Sequence, residues 1–171
     1  MVYIAGDCQF LKSFARDQQL ITNWNEIVND EDEVLLLGNF FSNWENLDPA
    51  RAREITSKLK GKLQIADYSN ISNKISRGQL QDMGIPRAYN AYMFVPDKIY
   101  TTHIIPEIET LNSFKGKMWG AAVKSLTGFE KVFEHNILSL SIDDWGLAPI
   151  EYEQVPLLVE NMKDFYNQEE V

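Results

Sequence analysis

Few side chains in this sequence are equipped for chemistry, and those that are fall into short polar breaks between apolar runs. Asp7, Gln9, Asn39 and Asp67 offer the hard oxygens that divalent cations accept, and His103 offers an imidazole. Ser69 adds a hydroxyl and Cys8 a thiol. These residues sit in the stretches Asp7-Cys8-Gln9, Gly38-Asn39-Phe40-Phe41, Asp67-Tyr68-Ser69-Asn70 and His103, and Gly120-Ala121-Ala122-Val123 follows in the same series. One divalent cation held by Asp7, Gln9, Asn39 and His103, with Asp67 as an extra donor, is the metal chemistry this set could support. Neutral amide oxygens would keep it weak. The chain has only two histidines, His103 and His135, so no imidazole cluster can strengthen it. Each residue also has a structural reading. Asp7 suits an Asx-turn after a strand, His103 a hydrogen-bonded loop position, and Cys8 a small buried thiol.

The elements that must position these breaks can be read from hydrophobic period. Residues 2–5 form a short apolar run ended by Gly6-Asp7, as a buried first strand delivering a loop to a sheet edge. Leu20, Ile21, Trp24, Ile27 and Val28 recur at helical spacing, with Asp17 as a candidate N-cap. Residues 33–37, cut by Gly38-Asn39, read as a central parallel strand. Asp48-Pro49 is an N-cap followed by proline at the first helical position, and Ala52, Ile55 and Leu59 line one face up to Gly61. Residues 63–66 make the third strand. This β-α-β-α-β alternation predicts a mainly parallel sheet with helices on its faces. Residues 91–95 and 98–102 around Pro96-Asp97 predict a hairpin, 136–142 a half-buried strand and 155–166 a last helix. The second half therefore reads as more antiparallel. Ligand-bearing loops of such folds gather at the carboxyl edge of the strands, which is why the polar breaks belong together.

Composition narrows the function classes. A chain of 171 residues with 44% hydrophobic and 12% aromatic content has the means for one core, and no linker or repeat divides it, so residues 1–171 read as a single domain. No apolar run approaches a membrane span, and the opening MVYIAGD lacks a basic, long-apolar leader, which predicts a cytoplasmic protein. A single cysteine allows no internal disulfide. A net charge of -9 disfavours nucleic acid, whose binding rests on Lys and Arg. The best basic stretch, Arg51, Arg53, Lys58, Lys60 and Lys62, is interrupted by Glu54 and suits a solvated helix face. Trp24 belongs to the helical apolar face, whereas Trp44, Trp119 and Trp145 fall near expected loops, where they could serve an interface.

The spacing of the five breaks and their flanking text, ITNWNEIVNDEDEVLLLGNFF, KLKGKLQIADYSN, IYTTHIIPE and NILSLSIDDWGLAPIEYEQV, resembles the calcineurin-like metallophosphoesterase family, particularly its small bacterial and phage members, over residues 2 to about 155. The resemblance implies an α/β fold in which two sheets form a β-sandwich flanked by helices. It also implies five ligand-bearing loops: Asp-x-His, Gly-Asp, Gly-Asn-His-Asp or Glu, a His, and Gly-His-x-His. Asp7 and His103 match that pattern. Gln9 stands at the first His, Asn39 at the bridging Asp, Tyr68 at the metal-binding Asn and Ser69 at the catalytic His, while Ala121 and Val123 replace two His ligands.

A two-metal site needs several carboxylate and imidazole ligands to hold two mutually repelling cations. Here most are neutral or apolar, and Phe40, Phe41 and Tyr68 could fill the former cleft. The expectation is therefore a catalytically inactive member kept as a binding or scaffold module for a protein partner or a small, nucleotide-like ligand, with no cofactor. The resemblance itself supplies a precedent, since a small retromer subunit uses a similar fold as a protein-binding scaffold. The alternative is a diverged phosphoesterase with one weakly bound manganese or zinc ion at Asp7, Asn39 and His103.

Overall fold

In the computed structural model the described residues are 1–66, 68–90, 92–94, 99–101, 119–122, 137–158 and 160–161. The continuous apolar runs become strands, as their burial on both faces requires. β1 (Val2–Gly6), β2 (Glu33–Leu37) and β3 (Lys62–Ile65) pair in parallel, in register Ile4 to Leu35 and Leu35 to Gln64. Two strands of two residues each complete this sheet. β4 (Arg87–Ala88) runs parallel to β3, and β9 (Ile150–Glu151) antiparallel to β1, giving the order β4-β3-β2-β1-β9. Such short edges offer few unpaired backbone groups to another chain.

The period of two along these strands divides the core. Tyr3, Ala5, Val34, Leu36, Leu63 and Ile65 face the helices, whereas Ile4, Leu35, Leu37 and Ala66 pack on the other side with Leu140, Ile150 and Val155. On the helical side lie α1 (Phe14–Ile27), α2 (Pro49–Lys58) and α3 (Arg77–Asp82). Trp24 is fully buried and its indole N–H donates to the Lys60 carbonyl at 2.9 Å, so α1 is tied to the α2–β3 turn by its largest side chain. α2 begins as its sequence predicts, with the Asp48 carboxylate accepting the Ala50 N–H and Pro49 following. α3 opens with a reciprocal Ser76–Gln79 capping box. The α1 start differs from expectation. Ser13 is the N-cap, and Asp17 lies one turn inside the helix, buried.

A second sheet has the order β5-β6-β7-β8, from β5 (Tyr92–Phe94), β6 (Ile99–Thr101), β7 (Trp119–Ala122) and β8 (Ile137–Ser139). β5 and β6 are the expected antiparallel pair, but β6–β7 and β7–β8 are parallel, so the second half is less antiparallel than its sequence suggests. Residues 102–118 and 123–136, between these strands, are long enough for the crossovers that parallel pairing demands. The two sheets meet where Gly6 bridges Ser141 and donates its N–H to the Leu140 carbonyl at 3.0 Å. Among the described residues no helix is long and apolar enough to cross a membrane. Residues 155–158 and 160–161 are helical, and the rest of the expected last helix lies outside the described residues.

Candidate functional site

Parallel pairing of β1, β2 and β3 puts residues 7–11, 38–41 and 68–70 at one edge of the sheet. The first of these segments is unusual. Asp7, Gln9 and Leu11 hold φ of 50°, 50° and 69°, in the left-handed region that costs an L-residue about 1 kcal/mol or more. The backbone around them sustains it. The N–H groups of Asp7, Gln9 and Phe10 donate to the carbonyls of Leu37, Asn39 and Phe40 at 2.8, 2.8 and 2.9 Å, and Ser42 N–H returns to Phe10 at 2.9 Å. The segments after β1 and β2 therefore continue side by side beyond the sheet.

Asp7, Gln9 and Asn39 thus lie in neighbouring segments at this edge, while His103, expected to join Asp7 and Asn39 there, lies outside the described residues. Asp7 is buried, and the Gln9 amide Nε2 donates to its Oδ2 at 2.8 Å, while the Lys12 ammonium donates to Gln9 Oε1 at 3.1 Å. These charges set the amide's orientation, because a flipped Gln9 would turn its oxygen to the carboxylate and its NH2 to the ammonium. A hydrogen-bond donor consequently faces Asp7 from position 9. Arg16 locks the loop from outside, donating to the Cys8 carbonyl and pairing with Asp143 at 2.9 Å. Cys8 is fully buried and burial pushes its thiol far up, so it supplies no thiolate at neutral pH.

Aromatic bulk fills the space behind this edge. Phe10, Phe40 and Phe41 are fully buried and run edge to face at 5.1 and 4.8 Å, continuing to the buried Trp44 at 5.3 Å. Trp44 is therefore core rather than an interface residue. Tyr68 is buried, its hydroxyl donates to the Ile75 carbonyl at 2.8 Å, and the Arg77 guanidinium lies 4.3 Å over its ring. Ser69 is exposed in the 3-10 turn Tyr68–Asn70. Gly120 and Ala121 lie within β7 rather than in a loop beyond it, which corrects their expected placement. His103, Asp67, Val123 and His135 lie outside the described residues. Among the described residues, no three His, Cys, Asp or Glu side chains are grouped to hold a metal ion.

Asp17 went unrecognised as a site residue, although its spacing to Leu20, Ile21 and Trp24 places it on the apolar stripe of α1. It is 4% exposed. Its Oδ2 accepts the Leu11 N–H at 2.9 Å, fastening the left-handed Leu11 to α1, and its Oδ1 has no hydrogen-bond partner among the described residues. Burial pushes its carboxyl above the ordinary 3.8, against the opposing pull of the Leu11 N–H, Arg16 and Arg51. A raised pKa means the folded state holds the proton more tightly than the unfolded chain. The stability this contributes is complete below the ordinary aspartate range and is lost as pH rises through the folded-state value. Urea denaturation across pH should show Asp17→Asn gaining on the parent chain as pH rises from about 4, since asparagine can still accept from Leu11. A difference that is flat with pH would refute the raised pKa.

Asp17 also lines a cleft of about 260 Å³ between α1 and α2, with Leu11, Lys12, Ser13, Phe14, Arg51 and Glu54 among its walls. A larger groove of about 420 Å³ lies across β9, lined by Tyr3, Ile27, Trp145, Ile150 and Leu158.

No protein-family profile matches this chain, and no curated protein does. Among solved structures it is similar to AQ665 from Aquifex aeolicus, a protein of unknown function, with a TM-score of 0.66 and 15% identity over 92% of this chain and 98% of that one. At that identity the likeness shows a shared fold alone, a mixed α/β architecture with a five-stranded sheet flanked by helices.

Proposed function

We propose that this chain is a catalytically inactive calcineurin-like metallophosphoesterase, one domain with the family's two-sheet sandwich, retained as a binding or scaffold module. The observation that carries this reading is the Gln9 amide donating to Asp7 at 2.8 Å. The Oδ2 of that carboxylate already accepts from a neutral donor where the family's pattern places a metal-binding imidazole. Two dications about 4 Å apart repel by roughly 16 kcal/mol at an effective dielectric near 20, and a bridging carboxylate normally offsets much of it. Asn39 brings no charge to that position. The buried sheet face of Ile4, Leu35 and Leu37 supports the sandwich, because something other than the three helices covers it. A cytoplasmic setting fits the single buried Cys8.

Without two cations no water is brought to a pKa near neutrality, and Ser69 is a poor proton donor to a leaving oxygen. The purified chain should show no turnover of p-nitrophenyl phosphate or its bis-ester above background in manganese, nickel or zinc, and calorimetry should show no tight two-site metal binding. Metal-dependent turnover abolished by Asp7→Ala would overturn this reading in favour of a diverged phosphoesterase with a mononuclear site.

A further inference from the structure

The groove across β9 carries a charge pattern that its place in the fold does not require. Ile27, Trp145, Pro149 and Leu158 give it an apolar lining, in which Glu151 and Gln154 are the polar side chains. Glu151 makes no ion pair among the described residues, and its carboxylate accepts from the neutral Gln154 amide at 3.3 Å. No Lys or Arg lines the groove. The sequence around it is just as one-sided: residues 17–50, which include most of α1, hold no Lys or Arg, and residues 137–161 hold five acids and neither cation. Cations on flanking elements are engaged elsewhere, the Met1 ammonium with Asp32 at 2.7 Å and Lys62 with Glu31 at 3.3 Å. Ile27, at the end of α1, is 39% exposed in the lining, an apolar surface that the core leaves uncovered.

An apolar groove of about 420 Å³ with an acid that no cation offsets suits an occupant that is apolar and cationic at once. Trp145 adds an indole to the lining, and indole faces attract guanidinium and ammonium groups. The net charge of -9 extends the same preference to long range, where it steers basic segments toward the surface. We propose that this groove docks a short amphipathic segment of a partner protein, its aliphatic side chains against Ile27 and Leu158 and a Lys or Arg toward Glu151 and Trp145. Strand addition is not the mode, because β9 has only two residues to pair with. A second copy is disfavoured, since it brings the same acidic surface, and in its basic stretch on α2 Lys58 is already paired with Glu54 at 2.8 Å. The chain's own end, MKDFYNQEEV, is disfavoured too, with one Lys against three acids.

This inference rests on the binding-module reading, to which it adds the partner's chemistry, but it is tested apart from it. The full chain is titrated at physiological ionic strength with fluorescein-labelled peptides of about ten residues. One is built of Leu and Lys in a helical pattern, one of Leu and Glu in the same pattern, and one of Ser and Lys with the charge of the first. The Leu/Lys peptide should bind saturably and at least about tenfold more tightly than either control. Glu151→Lys should weaken it about tenfold and Ile27→Ser about fivefold. Glu45→Lys, which reverses an exposed charge outside the groove, should leave it within about twofold. Cooperative urea unfolding establishes that each variant is folded. Absence of saturable binding, a Ser/Lys peptide that binds as tightly, or equal weakening by Glu45→Lys and Glu151→Lys would overturn the proposal. Sedimentation equilibrium showing a dimer that Glu151→Lys dissociates would overturn it in favour of a second copy. Nuclear Overhauser contacts between residues 162–171 and Ile27 in the free chain would overturn it in favour of the chain's own end. None of these outcomes touches the inactive reading, which stands or falls on the turnover assay.

Discussion

Phe40→Ala should lower the free energy of unfolding by about 3–5 kcal/mol, a large share of the 5–15 kcal/mol typical of a domain. Phe40 is fully buried and packs edge to face with Phe10 at 5.1 Å and Phe41 at 4.8 Å, so truncation removes a large apolar surface and two ring contacts at once. The cavity cannot collapse easily. Its neighbours are fixed by the backbone bonds that tie Phe10 N–H to the Phe40 carbonyl and Ser42 N–H to the Phe10 carbonyl. The loss should also loosen the left-handed turns at Asp7, Gln9 and Leu11, whose strain is tolerated only while that ladder holds. Urea denaturation reads the effect as a fall in midpoint at unchanged slope. Phe14→Ala, on a ring that is 81% exposed, serves as the contrast and should stay within about 0.5 kcal/mol. A loss below about 1 kcal/mol for Phe40→Ala would mean that aromatic packing does not fill this edge of the sheet, and the argument for an occluded site would go with it.

Gly6→Ala should cost about 3 kcal/mol or more, above the usual range for one added methyl group. A Cβ at Gly6 would stand 2.3 Å from the Leu140 carbonyl oxygen, 2.7 Å from its carbon and 3.1 Å from the Ser141 nitrogen. These are backbone atoms, so no side chain can rotate to make room. The chain must separate there, breaking the bond from Gly6 N–H to Leu140 and with it the joint between the two sheets. Hydrogen exchange should show protection lost first at residues 6 and 140–142, with denaturation reporting the global change. Gly78→Ala is the control. Its nearest neighbour would be the Ser76 hydroxyl at 3.9 Å, and alanine in a helix is neutral to stabilising by up to about 1 kcal/mol. If Gly6→Ala proved as mild as Gly78→Ala, the close approach of β1 to residues 140–141 would be wrong.

Joined to the turnover assay, these substitutions separate two properties of one edge of the sheet. Packing behind the loop is read by Phe40 and the joint beneath it by Gly6.

The central part of the fold was legible in the residues themselves. Apolar runs at 2–5, 33–37 and 63–66, each stopped by a polar or glycine break, have no stable place except in adjacent strands buried on both faces. Asp48-Pro49 dictated a helix start because the carboxylate caps orphan amides and proline lacks an N–H to lose. That the segments carrying Asp7, Gln9 and Asn39 run side by side followed from the same parallel order. Other features required distant partners. Strand direction in the second sheet is not encoded in apolar alternation, which is identical for parallel and antiparallel neighbours, and β4 and β9 are too short to show any period. Gly120 and Ala121 resemble a loop locally but are drawn into β7 by neighbours on both sides. Asp17 resembled a cap because aspartate usually is one. The true start at Ser13 depends on Leu11 turning left-handed and sending its N–H to that carboxylate, a choice that loop strain and helix packing make together. Likewise the residue types at positions 7 and 9 were plain from the start. That the Gln9 amide donates to Asp7 was decided only when Lys12 came to its oxygen and the backbone bond to Asn39 fixed the loop, because an amide's orientation is set by the charges it meets.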